Sequence, residues 1–88
     1  MRTQTITVGA NHAAVNHCYG WCLSEDSGAT AEVTLRAGAD DGKVIVGPIH
    51  LAADESAVIV LPKAVFWEFA GGCWVNEESG SVEGVLYF

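Results

Sequence analysis

Positive charge is scarce in this sequence. Arg2, Arg36, Lys43 and Lys63 are its only lysines and arginines, against eleven acidic residues, for a formal net charge of −7 over 88 residues. A face that binds DNA or RNA needs cations to displace counterions from phosphates. Four cations argue against a nucleic-acid partner and, on the same ground, against an anionic membrane surface. No apolar run approaches the roughly 20 residues of a membrane-spanning helix. The opening residues, Met1 to Val8, alternate polar and apolar and lack the continuous hydrophobic stretch of a signal peptide. The expectation is a chain made in a cytoplasm and not exported by the usual route. Amphipathic helical periodicity is missing too, as are linkers, low-complexity tracts and exact repeats. Cysteine is limited to Cys18, Cys22 and Cys73. On one straight strand Cys18 and Cys22 would sit roughly 13 Å apart, beyond disulfide reach. A turn at Gly20 would bring them closer, and Cys73 could pair with either across the fold. We read all three as reduced, buried thiols that behave as small hydrophobes.

What the sequence does hold is strand-and-turn grammar. Thr3 to Val8 alternates threonine or glutamine with isoleucine and valine. Ala14 to Leu23 places Val15, His17, Tyr19, Trp21 and Leu23 on one face and Asn16, Cys18, Gly20 and Cys22 on the other. Glu32 to Arg36 alternates with Val33 and Leu35 inward. Asp41-Gly42 carries a hairpin signal before Lys43 to Leu51, where Pro48 makes a bend or marks an edge. Ala57 to Leu61 is short and wholly apolar. Val65 to Phe69 is dense in aromatics, Gly71-Gly72 breaks or bulges it, and Cys73 to Val75 continues. Asn76 to Gly80 reads as a turn, and Ser81 to Phe88 is a last apolar strand that must be paired. These segments predict one all-β domain over residues 1–88, a compact antiparallel β-sandwich or jelly-roll-like barrel of about seven to eight short strands. Its expected core includes Val33, Leu35, Val58, Val60 and Leu86. Half of the residues are hydrophobic and 17% are charged. That is rich for so small a domain, and points to apolar surface buried against another chain.

Each candidate chemistry competes with a plainer use of the same residues. Glu25-Asp26, Asp40-Asp41, Asp54-Glu55 and Glu77-Glu78 are acidic doublets in turns. Calcium takes carboxylates from such loops, but no Asp-x-Asp-x-Asp-Gly pattern is present, and solvated turns are the favoured reading. A negative rim facing a basic partner is a third use. His12, His17, Cys18, Cys22, His50 and Cys73 are zinc-type ligands without zinc-site spacing. No activated cysteine–histidine pair is recognisable, so an enzyme is not expected, nor is a cofactor. Trp21, Trp67 and Trp74, with Tyr19, Phe66 and Phe69, supply either a sugar-stacking platform or core and interface. Phe66 and Trp67 are neighbours in a strand and must point to opposite faces. For an oligomer or partner contact the choice falls on Trp67, Phe69, Trp74 and Tyr87, because interfaces concentrate aromatics.

Three stretches resemble a known class. Ala31-Glu-Val-Thr-Leu-Arg-Ala-Gly-Ala39, Gly47 to Pro62 with its Leu-Ala-Ala-Asp-Glu-Ser turn, and Ser79-Gly-Ser-Val-Glu-Gly-Val-Leu-Tyr87 resemble small β-sandwich proteins from the structural gene clusters of tailed bacteriophages. The likeness covers roughly residues 31 to 88. The aromatic run Val65 to Trp74 and the Cys18-x-x-x-Cys22 segment depart from it. The resemblance implies a non-enzymatic virion component assembled in the host cytoplasm, and among such roles a capsid decoration (cement) protein. Its implied partners are copies of itself, as a homotrimer, and the major capsid protein. A carbohydrate- or host-surface-binding fibre head and a tail or connector subunit are the alternatives.

Overall fold

The chain folds as a succession of short antiparallel strands in the computed structural model, which describes residues 2–62 and 64–88. Lys63, one of the four cations, and the side chain of Glu78, in one acidic doublet, lie outside the described residues. The strands are Thr3–Thr5 (β1), Ala10–His12 (β2), His17–Cys18 (β3), Gly20–Glu25 (β4) and Ala31–Ala37 (β5). Val44–Leu51 (β6), Ser56–Val60 (β7), Trp67–Glu68 (β8), Cys73–Ser79 (β9) and Val82–Tyr87 (β10) follow. One four-stranded sheet has the order β1-β10-β4-β7, a second has β2-β9-β5-β6, and β3 pairs with β8. We call the first two sheet A and sheet B.

Among the described residues the chain is all-β, with ten strands in three sheets where seven to eight in one sandwich or barrel are expected from sequence. Glycine accounts for part of the difference. The Ala14 to Leu23 segment is broken before Gly20, whose φ is +150°, and splits into β3 and β4. The break also resets the pleat. Cys18 turns wholly inward and His17 outward, the reverse of the single-strand reading, while Trp21 and Leu23 stay buried. Gly71 and Gly72, at φ +82° and +107°, separate β8 from β9. In the other direction, Asn76 to Ser79 continue β9 as strand, and the turn is confined to Gly80-Ser81.

One apolar cluster joins the sheets. Trp21, Leu23, Val82 and Leu86 come from sheet A, and Val33, Leu35, Leu51, Cys73 and Val75 from sheet B. Cys18, Ile6, Val15 and Phe69 fill in around them. Val33, Leu35 and Leu86 are core residues, as their alternation predicts. Val58 and Val60 are not: they are 58% and 57% exposed. β7 is apolar on both faces, and only Ala57 and Ile59 turn toward the cluster side of sheet A.

Two glycines let the backbones of sheet A close up. A Cβ on Gly20 would lie 1.9 Å from the Ile59 carbonyl oxygen, and one on Gly84 2.0 Å from that of Cys22. Gly28 also has positive φ, +79°, but open space around it. Gly20→Ala and Gly84→Ala are each expected to cost about 2 kcal/mol or more, from strain plus displaced backbone. Gly28→Ala should cost only the left-handed penalty of about 1–2 kcal/mol. Urea unfolding of the three variants checks this, and equal costs would remove the close-approach argument.

Candidate functional site

Glu25 ends β4, and its carboxylate accepts six hydrogen bonds. Oε2 accepts from the Ser27 N–H at 2.9 Å, the Ser27 hydroxyl, and the Ser81 N–H at 3.3 Å. Oε1 accepts from the N–H groups of Gly28 at 2.8 Å, Ala29 at 3.2 Å and Asp54 at 3.3 Å. The residue is 3% exposed. Donation by the Ser27 hydroxyl is the largest cause that holds its carboxyl well below the ordinary 4.5, at about 2. The N–H groups of Ser27, Asp54 and Ser81 add to this, and burial works against it. The donors sit on three connections, β4 to β5, β6 to β7 and β9 to β10, each of which carries the chain from one four-stranded sheet to the other. An acid read from sequence as solvated or calcium-binding thus organises three loops. The signal for it was local: Glu-x-Ser-Gly lets a carboxylate reach N–H groups two and three residues on.

His12 is 2% exposed and does similar work elsewhere. Its Nε2 accepts from the Thr7 N–H at 2.9 Å, which leaves Nδ1–H to donate to the Cys73 carbonyl, also at 2.9 Å. Both ring nitrogens are therefore engaged in holding backbone. His50 is exposed, with Nδ1 3.7 Å from a carboxylate oxygen of Glu32. Cys18, Cys22 and Cys73 are free thiols. Burial pushes Cys73 up to about 12, with Cys18 nearby adding to the effect, and burial also raises Cys18. Raised thiols are poor nucleophiles at neutral pH. Among the described residues, no three of histidine, cysteine, aspartate or glutamate are placed to share a metal ion.

The four aromatics chosen for contact are not brought together. Phe69 has no exposed surface and belongs to the core, so its side chain has nothing left to offer a partner. Trp67, on β8, packs half-buried against the core and stacks on Trp21 at 4.9 Å. Trp74 lies half-buried on β9 of sheet B, opposite Arg36 and Asn11, with its indole N–H unpartnered. Tyr87 is half-buried on β10 of sheet A. Phe66 is the outward member of the Phe66-Trp67 pair, 40% exposed. His17 stacks on its ring at 4.2 Å and Tyr19 meets it edge-on at 5.8 Å.

What the register does bring together is an apolar outer face on sheet A. Residues paired across a sheet share a face. One row reads Thr3, Tyr87, Gly20, Val60, and the next reads Thr5, Val85, Cys22, Val58. The third row, Glu83, Ser24, Ser56, is polar, and its two serine hydroxyls lie 2.8 Å apart. Apolar side chains therefore gather at one end of the face, densest toward β7. Of these residues, sequence reasoning singled out Tyr87 for contact and assigned Val58 and Val60 to the core. The signal for the rest was present in Ser56 to Leu61, which has no polar position after its serine and so is apolar on whichever side faces water. In the comparisons with known proteins, no family model, no curated protein and no solved structure matches this chain.

The lowered carboxyl of Glu25 makes stability pH-dependent with a definite sign. A group whose folded pKa lies below its unfolded value stabilises the fold above the unfolded pKa and loses that contribution as the pH falls. The window runs from about 4.5 down to about 2. Glu25→Gln should melt lower than wild type at neutral pH, and the gap should narrow through that window. Thermal melts of both proteins across pH check this, and a gap that stays constant with pH would count against it. His12→Ala should cost about 2 kcal/mol or more in urea unfolding, because two buried backbone groups lose their partners. An unchanged unfolding midpoint would show that the ring bridges nothing of consequence.

Proposed function

We propose that this chain is a non-enzymatic structural subunit that works by burying the outer face of sheet A against protein. The setting implied by the resemblance is a tailed-phage virion, with the chain acting as a capsid decoration protein. It then assembles in the host cytoplasm as a homo-oligomer and binds the major capsid protein. On this reading the two four-stranded sheets, which share one core, are the two layers of a sandwich related to the small β-sandwich proteins of such virions.

The observation that carries the proposal is the apolar end of the outer face, where Tyr87, Val85, Cys22, Val58 and Val60 lie together in two adjacent rows. Protein contacts are built around a desolvated apolar centre with a polar rim. Glu83, Ser24 and Ser56 at one end and Thr3 and Thr5 along one side supply such a rim. The aromatics favour this over a sugar-binding head. Trp21 is buried, Trp67 and Trp74 are half-buried on different sheets, and His17 already occupies a face of Phe66. Sugar stacking requires free, roughly coplanar ring faces.

The test uses purified heads of the virus whose genome encodes the chain, mixed with wild-type protein and with Val85→Glu, then separated by sedimentation. Wild type should cosediment. Val85→Glu should bind at least about tenfold more weakly, the loss expected when a charge is set into a contact centre. Its melting temperature should stay close to that of wild type. Failure of wild type to bind, or unimpaired binding by the variant, would overturn the reading.

A further inference from the structure

Exposed sheet edges invite pairing with another chain, and three of the four main edges here are blunted. β1 and β2 are three residues long. β6 carries Pro48, which has no N–H to offer, and its pairing with β5 slips in register. β7, the remaining edge, has none of these protections. Its five residues, Ser-Ala-Val-Ile-Val, contain no charge, proline or glycine. An edge of that kind is a template for a further strand.

We infer that β7 pairs with β7 of a second copy, antiparallel about a two-fold axis through Val58, so that two A sheets become one continuous sheet. The existing ladder shows which backbone groups are free. The Glu25 N–H donates to the Glu55 carbonyl at 2.9 Å, and the Leu61 N–H to the Tyr19 carbonyl at 2.8 Å. These frame the β4–β7 pairing, in which Trp21 faces Ile59 and Leu23 faces Ala57. Hydrogen-bonded and non-bonded pairs alternate along an antiparallel ladder. Ala57 and Ile59 therefore bond to β4, and the N–H and C=O groups of Ser56, Val58 and Val60 point off the edge.

Those free groups are symmetric about Val58, which is the requirement for self-pairing. Val58 meets its own copy, and Ser56 meets Val60 of the partner subunit, each pair in hydrogen-bonded register. Side-chain sizes fit the same register: small Ser56 faces a valine on the outer side, and small Ala57 faces an isoleucine on the inner side. Ile59 points inward yet is 40% exposed, because nothing lies beyond it on the edge. Charge favours the same direction. Asp54-Glu55 precede the neutral run, and antiparallel register holds the two Glu55 positions about 20 Å apart, beyond the roughly 8–10 Å reach of screened charges, where a parallel register would set them side by side. The inference gives a form to the homo-oligomer of the proposed function, a two-fold pair in place of the homotrimer that the resemblance implies. Its failure is separable from that of head binding: heads could fail to bind with the dimer intact, and could bind with no cross-link through β7.

The closing experiment combines solution mass with cysteine cross-linking in a Cys22→Ser background. Wild type should run at twice 9.3 kDa by light scattering. Val58→Lys, which sets a charge against its own copy, should halve that mass without changing the circular dichroism of the folded chain. Under mild oxidation Val58→Cys should give a covalent dimer, because the two Cα atoms of a bonded pair lie about 5.5 Å apart. Val60→Cys should not, because its copies lie about 14 Å apart in this register. A wild-type monomer at every concentration, a dimer in which Val58→Cys fails to cross-link, or equal cross-linking at both positions would overturn the inference.

Discussion

The fold turns on one carboxylate. Three connections cross between the four-stranded sheets at the same end of the molecule, and crossings expose N–H groups that no ladder can satisfy. Glu25 collects five of those N–H groups and one hydroxyl. The arrangement needs a full negative charge, because an ionised carboxylate offers only acceptors and enough lone-pair sites for several donors. It also needs that charge at the end of a strand whose preceding residues are core. Trp21 and Leu23 anchor β4 in the shared cluster, so the side chain of Glu25 is delivered to the seam by the same pleat that buries them. Packing and polar bonding are therefore coupled through a single strand.

That coupling explains where the remaining charge goes. Asp26, Asp40, Asp41, Asp54 and Glu55 sit in connections and Glu32, Arg36 and Glu77 on strands of sheet B, whereas the outer face of sheet A carries charge only at Glu83 among the paired rows. Gly20, Cys22, Val58, Val60 and Val85 have small side chains, and the close backbone approach at Gly20 and Gly84 keeps the strands near one another. With Tyr87 beside them, these residues form the apolar floor of the outer face.

Much of the architecture was legible in the sequence. Alternation at Glu32 to Arg36 and at Ser81 to Phe88 identified β5 and β10 and the core positions Val33, Leu35 and Leu86, because a period of two sends alternate residues to one face; Thr34, on the other face of β5, is also buried, at 5% exposed, which alternation does not predict. Glycine disrupted the reading elsewhere. Ala14 to Leu23 looks like one strand by composition, but the change of pleat before Gly20 exchanges the faces of His17 and Cys18, and nothing in the alternation announces it. The run Ala57 to Leu61 misled for a different reason. A wholly apolar strand suits a sheet buried on both sides, and composition cannot distinguish that from an edge strand that keeps its outer face open. At Glu25 the Glu-x-Ser-Gly spacing carries a signal for the bonds to Ser27 and Gly28, but none for those to Asp54 and Ser81, which are far away in sequence and arrive there through the fold.

Edge protection in this molecule is uneven in a way that carries information. Evolution and chance both produce short edges, and β1 and β2 need no further account. β6 is different: at eight residues it is the longest strand, and its outer side would be the most dangerous template in the chain. It is interrupted by Pro48 and by register shifts against β5, so its exposed length is cut into pieces too short to pair well. A chain that disrupts its longest edge, while leaving a shorter, more apolar one continuous and free of charge, treats the two differently. Aggregation risk alone would favour a lysine or a proline in β7 at little cost, since Val58 and Val60 contribute little to the core. Keeping valine at both positions is intelligible if the edge and the floor beside it are covered in the working assembly.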